Sequence, residues 1–265
     1  MTDDLVSFNM LIVSDAAAER DLLRRAALNS SFHIEVSEIE KCVDDKPIRA
    51  HFLRENADFI FLDSRMPKAG RKAVIDAAAE ARGRPLVVLV GPADIKTREV
   101  LTDGLDFDAA LAKPIDLAEA TKLIEICSRA RLPKRVMVVD DAGTVRSVIR
   151  KILQTSRFPL DVFDSGDGVG ALEQVQKEHF DLMFLDCNMP GLDGFLVCYQ
   201  LRRDHPNVQV VMMTGSKDRN LEERARATGA KDFLYKPFYA RDIDAVLHRL
   251  FGLTALEKKA ALSAR

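Results

Sequence analysis

Residues 184–194 read FLDCNMPGLDG, and residues 61–70 read FLDSRMPKAG. In both, an apolar run ends on a single aspartate, Asp186 or Asp63, and a turn holding Met-Pro follows at once. A carboxylate at the end of a buried strand is costly unless it is paired or meets a cation. Two copies of one frame also raise the question of whether the whole chain repeats.

The apolar runs say that it does. MLIV (10–13), FIFL (59–62) and LVVLV (86–90) are matched by VMVV (136–139), LMFL (182–185) and VVMM (210–213). They are continuous rather than alternating, as expected of parallel strands buried on both faces. Between them lie helical patterns such as VRSVIRKIL (145–153) and LEQVQKEHF (172–180). Strand–helix–strand repetition predicts a parallel sheet covered by helices. Asp63 precedes Lys113 by 50 residues, and Asp186 precedes Lys236 by the same 50. Both lysines are followed by proline, and Gly91 and Thr214 each lie 28 residues after their aspartate. The spacing predicts two domains, 5–129 and 136–252, with a short linker at 130–135 and a tail at 253–265 that is helix-forming in composition.

At 265 residues the chain accommodates two ordinary domains, and 47% hydrophobic residues give each a core. Charge is nearly balanced, with a net of −2, which argues against direct nucleic-acid binding. Cys42, Cys127, Cys187 and Cys198 form no CxxC and read as reduced thiols of a cytoplasmic protein. The acidic start, MTDDLVSFNMLIV, is unlike a signal peptide, and its apolar run is too short for a membrane span.

In an open parallel sheet, ligands bind at the carboxyl ends of the strands. In the second half those ends offer Asp140, Asp141, Asp186, Thr214 and Lys236. Three carboxylates at one edge repel one another, so a divalent cation is the natural resolution, and all-oxygen ligands favour Mg²⁺ over zinc. A carboxylate beside Mg²⁺ can attack a phosphoryl group, Lys236 can neutralise the phosphoryl oxygens, and the Thr214 hydroxyl can hydrogen-bond the product. Each residue alone has a plainer reading. Asp140 and Asp141 suit a helix cap, Lys236-Pro237 a turn, Thr214 a strand end and Phe233 a core.

With VVDD (138–141), LDCNMPGLDG (185–194), MTG (213–215) and YKPF (235–238) in order, residues 134–252 resemble a receiver domain of bacterial two-component response regulators. The resemblance implies a flavodoxin-like (βα)5 fold with strand order 2-1-3-4-5. It implies Asp186 as phosphoacceptor, and Asp140, Asp141, Asp186 and the main-chain carbonyl of Asn188 as Mg²⁺ ligands. It further implies Lys236 and Thr214 at the phosphoryl group, and Thr214 with Phe233 as the switch pair. Residues 5–129 resemble a second, degenerate receiver. Asp15, Asp63 and Lys113 are kept, Ser14 replaces one acid, and Gly91 and Ala110 replace the switch residues.

The resemblance implies a stand-alone regulator that is phosphorylated by a histidine kinase or phosphotransfer protein and acts on a downstream protein target or as a homodimer. After Phe251 only GLTALEKKAALSAR remains, so output is expected through protein contacts rather than an attached output domain. The expected signalling face is residues 217–228 and 231–251, with Arg224, Lys231, Tyr235 and Arg241 exposed. The first domain reads as an interaction adaptor in preference to a second phosphorylation site. Two alternatives for the whole are a phosphate sink or scaffold, and an aspartyl-phosphate phosphatase. The second is disfavoured because Asn188 and Arg65 stand where such enzymes carry another aspartate.

Overall fold

The computed structural model describes residues 6–42, 46–52, 55–92, 107–216, 218 and 220–253. Leu5, Lys217 and the tail beyond Leu253 lie outside the described residues. The chain divides into two compact units. The first runs to Arg131 and takes in Phe251–Leu253, and the second spans Leu132–Leu250.

In the first unit, β1 (Ser7–Val13), β2 (His33–Ile39), β3 (Phe59–Asp63), β4 (Leu86–Pro92) and β5 (Ala109–Lys113) form one sheet. Helices α1 (Ala17–Leu28), α2 (Lys46–Phe52), α3 (Lys68–Glu80) and α4 (Leu117–Arg131) connect or follow the strands. The second unit alternates β6 (Lys134–Val139), α5 (Gly143–Gln154), β7 (Leu160–Ser165), α6 (Gly168–Lys177), β8 (Leu182–Asp186), α7 (Gly194–Asp204), β9 (Gln209–Thr214), α8 (Asn220–Thr228), β10 (Asp232–Tyr235) and α9 (Ala240–Leu250). The sheet orders are β2-β1-β3-β4-β5 and β7-β6-β8-β9-β10, which is 2-1-3-4-5 in each unit. All pairings are parallel, so the two flavodoxin-like folds predicted from the sequence are the folds observed.

The central strands are buried throughout because their apolar runs meet helices on both faces. Phe59, Phe61, Phe180 and Phe184 are among the largest fully buried side chains, and each contributes about 1.5–3 kcal/mol through removal from water. Edge strands β2 and β7 are only half-buried, which is why no continuous apolar run marks them. The register sets the chemistry. Val13 is level with Leu62 and Val139 with Leu185, so the residues after β1 and β6 meet the last residues of β3 and β8.

One expectation changes. The pattern at 172–180 does not continue as helix, because α6 ends at Lys177 and Glu178 is extended. That turn lets Phe180 drop into the core at 1% exposure. The stretch 130–135 falls at the junction of two elements. α4 carries through Arg131 with Arg129 and Arg131 in its last turn, and β6 opens at Lys134. Cations there complement the helix dipole, and Pro133 cannot continue the helix.

Candidate functional site

In the second unit, β6 delivers Asp140 and Asp141, β8 ends on Asp186, and β9 ends on Thr214. Oxygens of Asp140, Asp141 and Asp186 all lie within 4.8 Å of one another. Asp140 is fully buried and Asp186 nearly so, whereas Asp141 faces solvent. Lys236, the first residue after β10, reaches Asp140 Oδ2 at 2.6 Å and Asp186 Oδ1 at 3.0 Å. Its own amide donates to the Thr214 carbonyl at 2.6 Å, which ties the lysine to the strand end.

The close approach of the 187–194 loop depends on one missing side chain. A Cβ at Gly194 would stand 2.0 Å from the Asp186 carbonyl oxygen. With hydrogen there instead, the Gly194 amide donates to the Cys187 carbonyl at 3.3 Å, and Asp193 caps α7 by accepting from the Phe195 amide at 2.8 Å. Asp193 also pairs with Arg224, whose guanidinium lies 4.0 Å from the Phe195 ring centre.

Among the described residues, three acids face one lysine, which leaves their shared charge negative. Burial pushes the Asp186 carboxyl above the usual carboxylate range. The Lys236 hydrogen bond opposes this, and the Asp140 charge adds to it. Burial works against the Lys236 ammonium, but its bonds to Asp140 and Asp186 outweigh that and hold its pKa above the ordinary lysine value. The Thr214 hydroxyl is buried beside the Cys187 thiol and accepts from the Ser216 amide at 3.1 Å. Burial pushes that thiol up to about 12, so it is no nucleophile.

Asn188 is exposed, and its backbone amide donates to the Asp186 carboxylate. Phe233 lies on β10, half-buried against the core, with its ring 5.0 Å from that of Tyr235. The structure thus gathers Asp140, Asp141, Asp186 and Lys236, sets Thr214 at the adjacent strand end, and leaves Phe233 one strand further out. Arg224, Lys231, Tyr235 and Arg241 are all exposed.

The first unit places its counterparts on the same edge with different contacts. Lys113 Nζ meets Asp63 Oδ1 at 2.8 Å and Glu19 at 2.8 Å. Arg65 donates from its amide to Asp63 Oδ1 at 2.9 Å and from its guanidinium to Asp63 Oδ2 at 3.4 Å, and it also pairs with Glu19. The Ser14 hydroxyl donates to Asp63 Oδ2 at 3.2 Å. Burial would raise Asp63, but the Lys113 bond, the Arg65 amide and the Arg65 guanidinium together hold it below the usual carboxylate range. Asp15 is exposed, Ala110 half-buried on β5 and Gly91 buried on β4. A Cβ on Gly91 would stand 2.4 Å from the Ser64 Oγ.

Glu19 and Arg65 were not singled out from the sequence as site residues, because Glu19 reaches a lysine 94 positions away. Arg20 and Arg146 are a second omission, although each lies six residues after the first residue of its acid-pair position. Arg20 donates to the Ser14 carbonyl at 2.8 Å and to Glu38 at 3.0 Å. Arg146 donates to the Asp140 carbonyl at 2.6 Å and to Asp164 at 3.0 Å. Each clamps the strand end that carries the site to the neighbouring edge strand.

The response regulator receiver domain model matches residues 136–248. The cyclic di-GMP phosphodiesterase response regulator RpfG of Xanthomonas campestris pv. campestris (strain 8004) is 30% identical over 145 residues, 54% of this chain and 38% of that protein. Response regulator MprA of Mycobacterium ulcerans (strain Agy99) is 33% identical over 123 residues, 46% of this chain and 52% of that protein. The chain therefore spans about half or less of the length of these curated relatives. The solved structure of a probable two-component system response regulator/GGDEF domain protein matches with TM-score 0.57 at 22% identity, over 93% of this chain and 99% of that one. That likeness carries the fold across both units.

Proposed function

We propose that this chain, whose residues 136–248 are a response regulator receiver domain, accepts a phosphoryl group on Asp186 and passes the change to a protein partner. The observation that carries the proposal is the cluster of three acid oxygens within 4.8 Å, bridged on one side by Lys236. All-oxygen donors and the unbalanced negative charge fit Mg²⁺, held by Asp140, Asp141, Asp186 and the main-chain carbonyl of Asn188. When bound, the cation offsets the charge between the carboxylates and an incoming phosphoryl group.

The rest falls to the side chains. An Asp186 oxygen attacks phosphorus, the bond from phosphorus to the donor's imidazole nitrogen breaks, and the imidazole leaves with a proton from water. Lys236 stays bonded to the carboxylate and shifts toward the new equatorial oxygens, where fixed positive charge is most effective. The Thr214 hydroxyl donates to a phosphoryl oxygen. That bond exists only after transfer, so it biases Thr214 toward one of two positions, with Phe233 following.

The donor is a histidine kinase or phosphotransfer protein in the cytoplasm. The output is a changed protein-binding face that includes Arg224, Tyr235 and Arg241, and the role is signalling rather than substrate turnover. The boundaries 5–129 and 136–252 belong to this reading, as does the role of 5–129 as an adaptor domain. Intact-protein mass spectrometry after incubation with Mg²⁺ and acetyl phosphate tests it. The added phosphoryl mass is expected in wild type and Asp63→Asn and absent in Asp186→Asn. Mass retained in Asp186→Asn overturns the assignment, and turnover of a small phosphomonoester favours a phosphatase instead.

A further inference from the structure

The two acid pockets differ in how their charge is balanced. In the second unit, Lys236 is the one cationic side chain among the described residues that pairs with the carboxylates of Asp140 and Asp186. In the first, Asp63 and Glu19 face both Lys113 and the Arg65 guanidinium, with Asp15 adding its field to Arg65. We propose that Arg65 is the resident cation of the first site: its guanidinium, braced by Glu19, stands in for a divalent ion and closes Asp63 to both metal and phosphoryl transfer. This deepens the adaptor reading of the first unit and rests on it.

Three observations support the closure. First, an ionised carboxylate has about four acceptor positions, and four contacts engage Asp63. The Arg65 amide and Lys113 take Oδ1, and the Ser14 hydroxyl and Arg65 guanidinium take Oδ2, the last contact being long at 3.4 Å. Asp186 has Lys236 and the Asn188 amide as its donors, which leaves lone pairs for a new bond.

Second, a divalent ion entering beside Asp63 meets two cations already paired with it, the sheltered Lys113 ammonium and the more exposed Arg65 guanidinium, and repulsion from the sheltered one is screened weakly. Displacing Arg65 strips Glu19 and Asp63 of a partner at once. One guanidinium nitrogen, Nη2, bridges the two carboxylates, and the Arg65 amide on the same residue also donates to Asp63 at 2.9 Å, so backbone and side chain anchor on one acid although the side chain is 57% exposed.

Third, the loop under the site is pinned from the other side. The Arg71 guanidinium donates to the Ser64 carbonyl at 2.6 Å and to the Met66 carbonyl at 2.8 Å. At the matching place in the second unit, the Cys187 carbonyl accepts the Gly194 amide at 3.3 Å. A cation above and a cation below hold residues 64–66 in one position.

The test counts bound Mn²⁺ on the whole chain from the electron paramagnetic resonance of the free ion. Wild type is expected to bind one Mn²⁺, and Asp140→Asn/Asp141→Asn none. Adding Arg65→Asn to that background is expected to bring one back, and adding Asp63→Asn to remove it again. Mn²⁺ bound by Asp140→Asn/Asp141→Asn and lost with Asp63→Asn overturns the proposal. So does an Arg65→Asn chain that is folded by circular dichroism and binds none. Where Arg65→Asn does not fold, the Asp140→Asn/Asp141→Asn chain alone decides: binding that depends on Asp63 refutes the closure, and no binding supports it. A wild type that binds no Mn²⁺ counts against the Asp186 site instead, and leaves the first-unit arms readable.

Discussion

The missing side chain at Gly91 and the buried hydroxyl of Ser64 belong together, and a double-mutant cycle measures how strongly. Ser64 is fully buried, and its Oγ has no hydrogen-bond partner among the described residues. Burying an unmade hydroxyl costs about 1–3 kcal/mol, so Ser64→Ala is expected to stabilise the first unit by about 1 kcal/mol. Gly91→Ala acts the other way. Its Cβ would stand 2.4 Å from Ser64 Oγ and 3.0 Å from Ser64 Cβ, and overpacking of this kind costs about 1–3 kcal/mol. Replacing glycine inside a strand returns about 0.5–1 kcal/mol, which leaves a net loss of about 1 kcal/mol. With Ser64→Ala present, the 2.4 Å contact is gone; the 3.0 Å approach to the Cβ at 64 remains and is offset by the gain from replacing glycine, so Gly91→Ala is expected to become close to neutral. The coupling is then about 1 kcal/mol, well above the roughly 0.3–0.5 kcal/mol scatter of independent sites. Hydrogen exchange of the β3 and β4 amides reports opening of the first unit within the whole chain. Additive effects, or a Ser64→Ala chain that opens more readily than wild type, refute the reasoning.

Two further expectations concern the second site and acid stability. Lys236→Met removes the cation from a pocket of three acids, so Mn²⁺ affinity rises while phosphoryl uptake from acetyl phosphate falls about 10²–10³-fold; a fall in both, measured by titration and mass spectrometry, contradicts the charge balance described. In metal-free buffer the units respond oppositely to acid. Asp63 has a lowered pKa, so its contribution is present above its unfolded value of about 3.8 and is lost as pH falls below it. Asp186 has a raised pKa, so its ionisation weakens the second unit at neutral pH and its protonation relieves the strain as pH falls toward 3.8. Exchange rates measured per unit from pH 7 to 3 should show the first unit flat and then failing, and the second gaining stability before global acid unfolding.

Much of this was legible in the sequence, and the exceptions have physical causes. The buried central strands announce themselves as continuous apolar runs, because both faces meet helices. Edge strands β2 and β7 carry mixed residues, since solvent touches one side. The 50-residue spacing from Asp63 to Lys113 and from Asp186 to Lys236 survives as a direct ion pair in both units. Asp140, Asp141 and Asp186 converge because strand ends in parallel sheets share an edge. Glu19 and Arg65 were invisible as site residues because nothing in a helix-borne glutamate or a turn arginine marks its target; only the tertiary fold brings them to one carboxylate. The extension of 172–180 beyond α6 failed for a related reason. The helical period persists, but Phe180 gains more from the core than Glu178 and His179 gain from another turn.

The paired arginine clamps, Arg20 on the Ser14 carbonyl and Arg146 on the Asp140 carbonyl, separate mounting from chemistry. Both grip main chain, so neither depends on which side chain follows the strand. The strand end is therefore a fixture that holds its position whatever tool is fitted to it. One copy carries acids and the other a serine, on the same bracket. Positions 14 and 140 accordingly differ in side chain while the main chain beneath them is gripped alike.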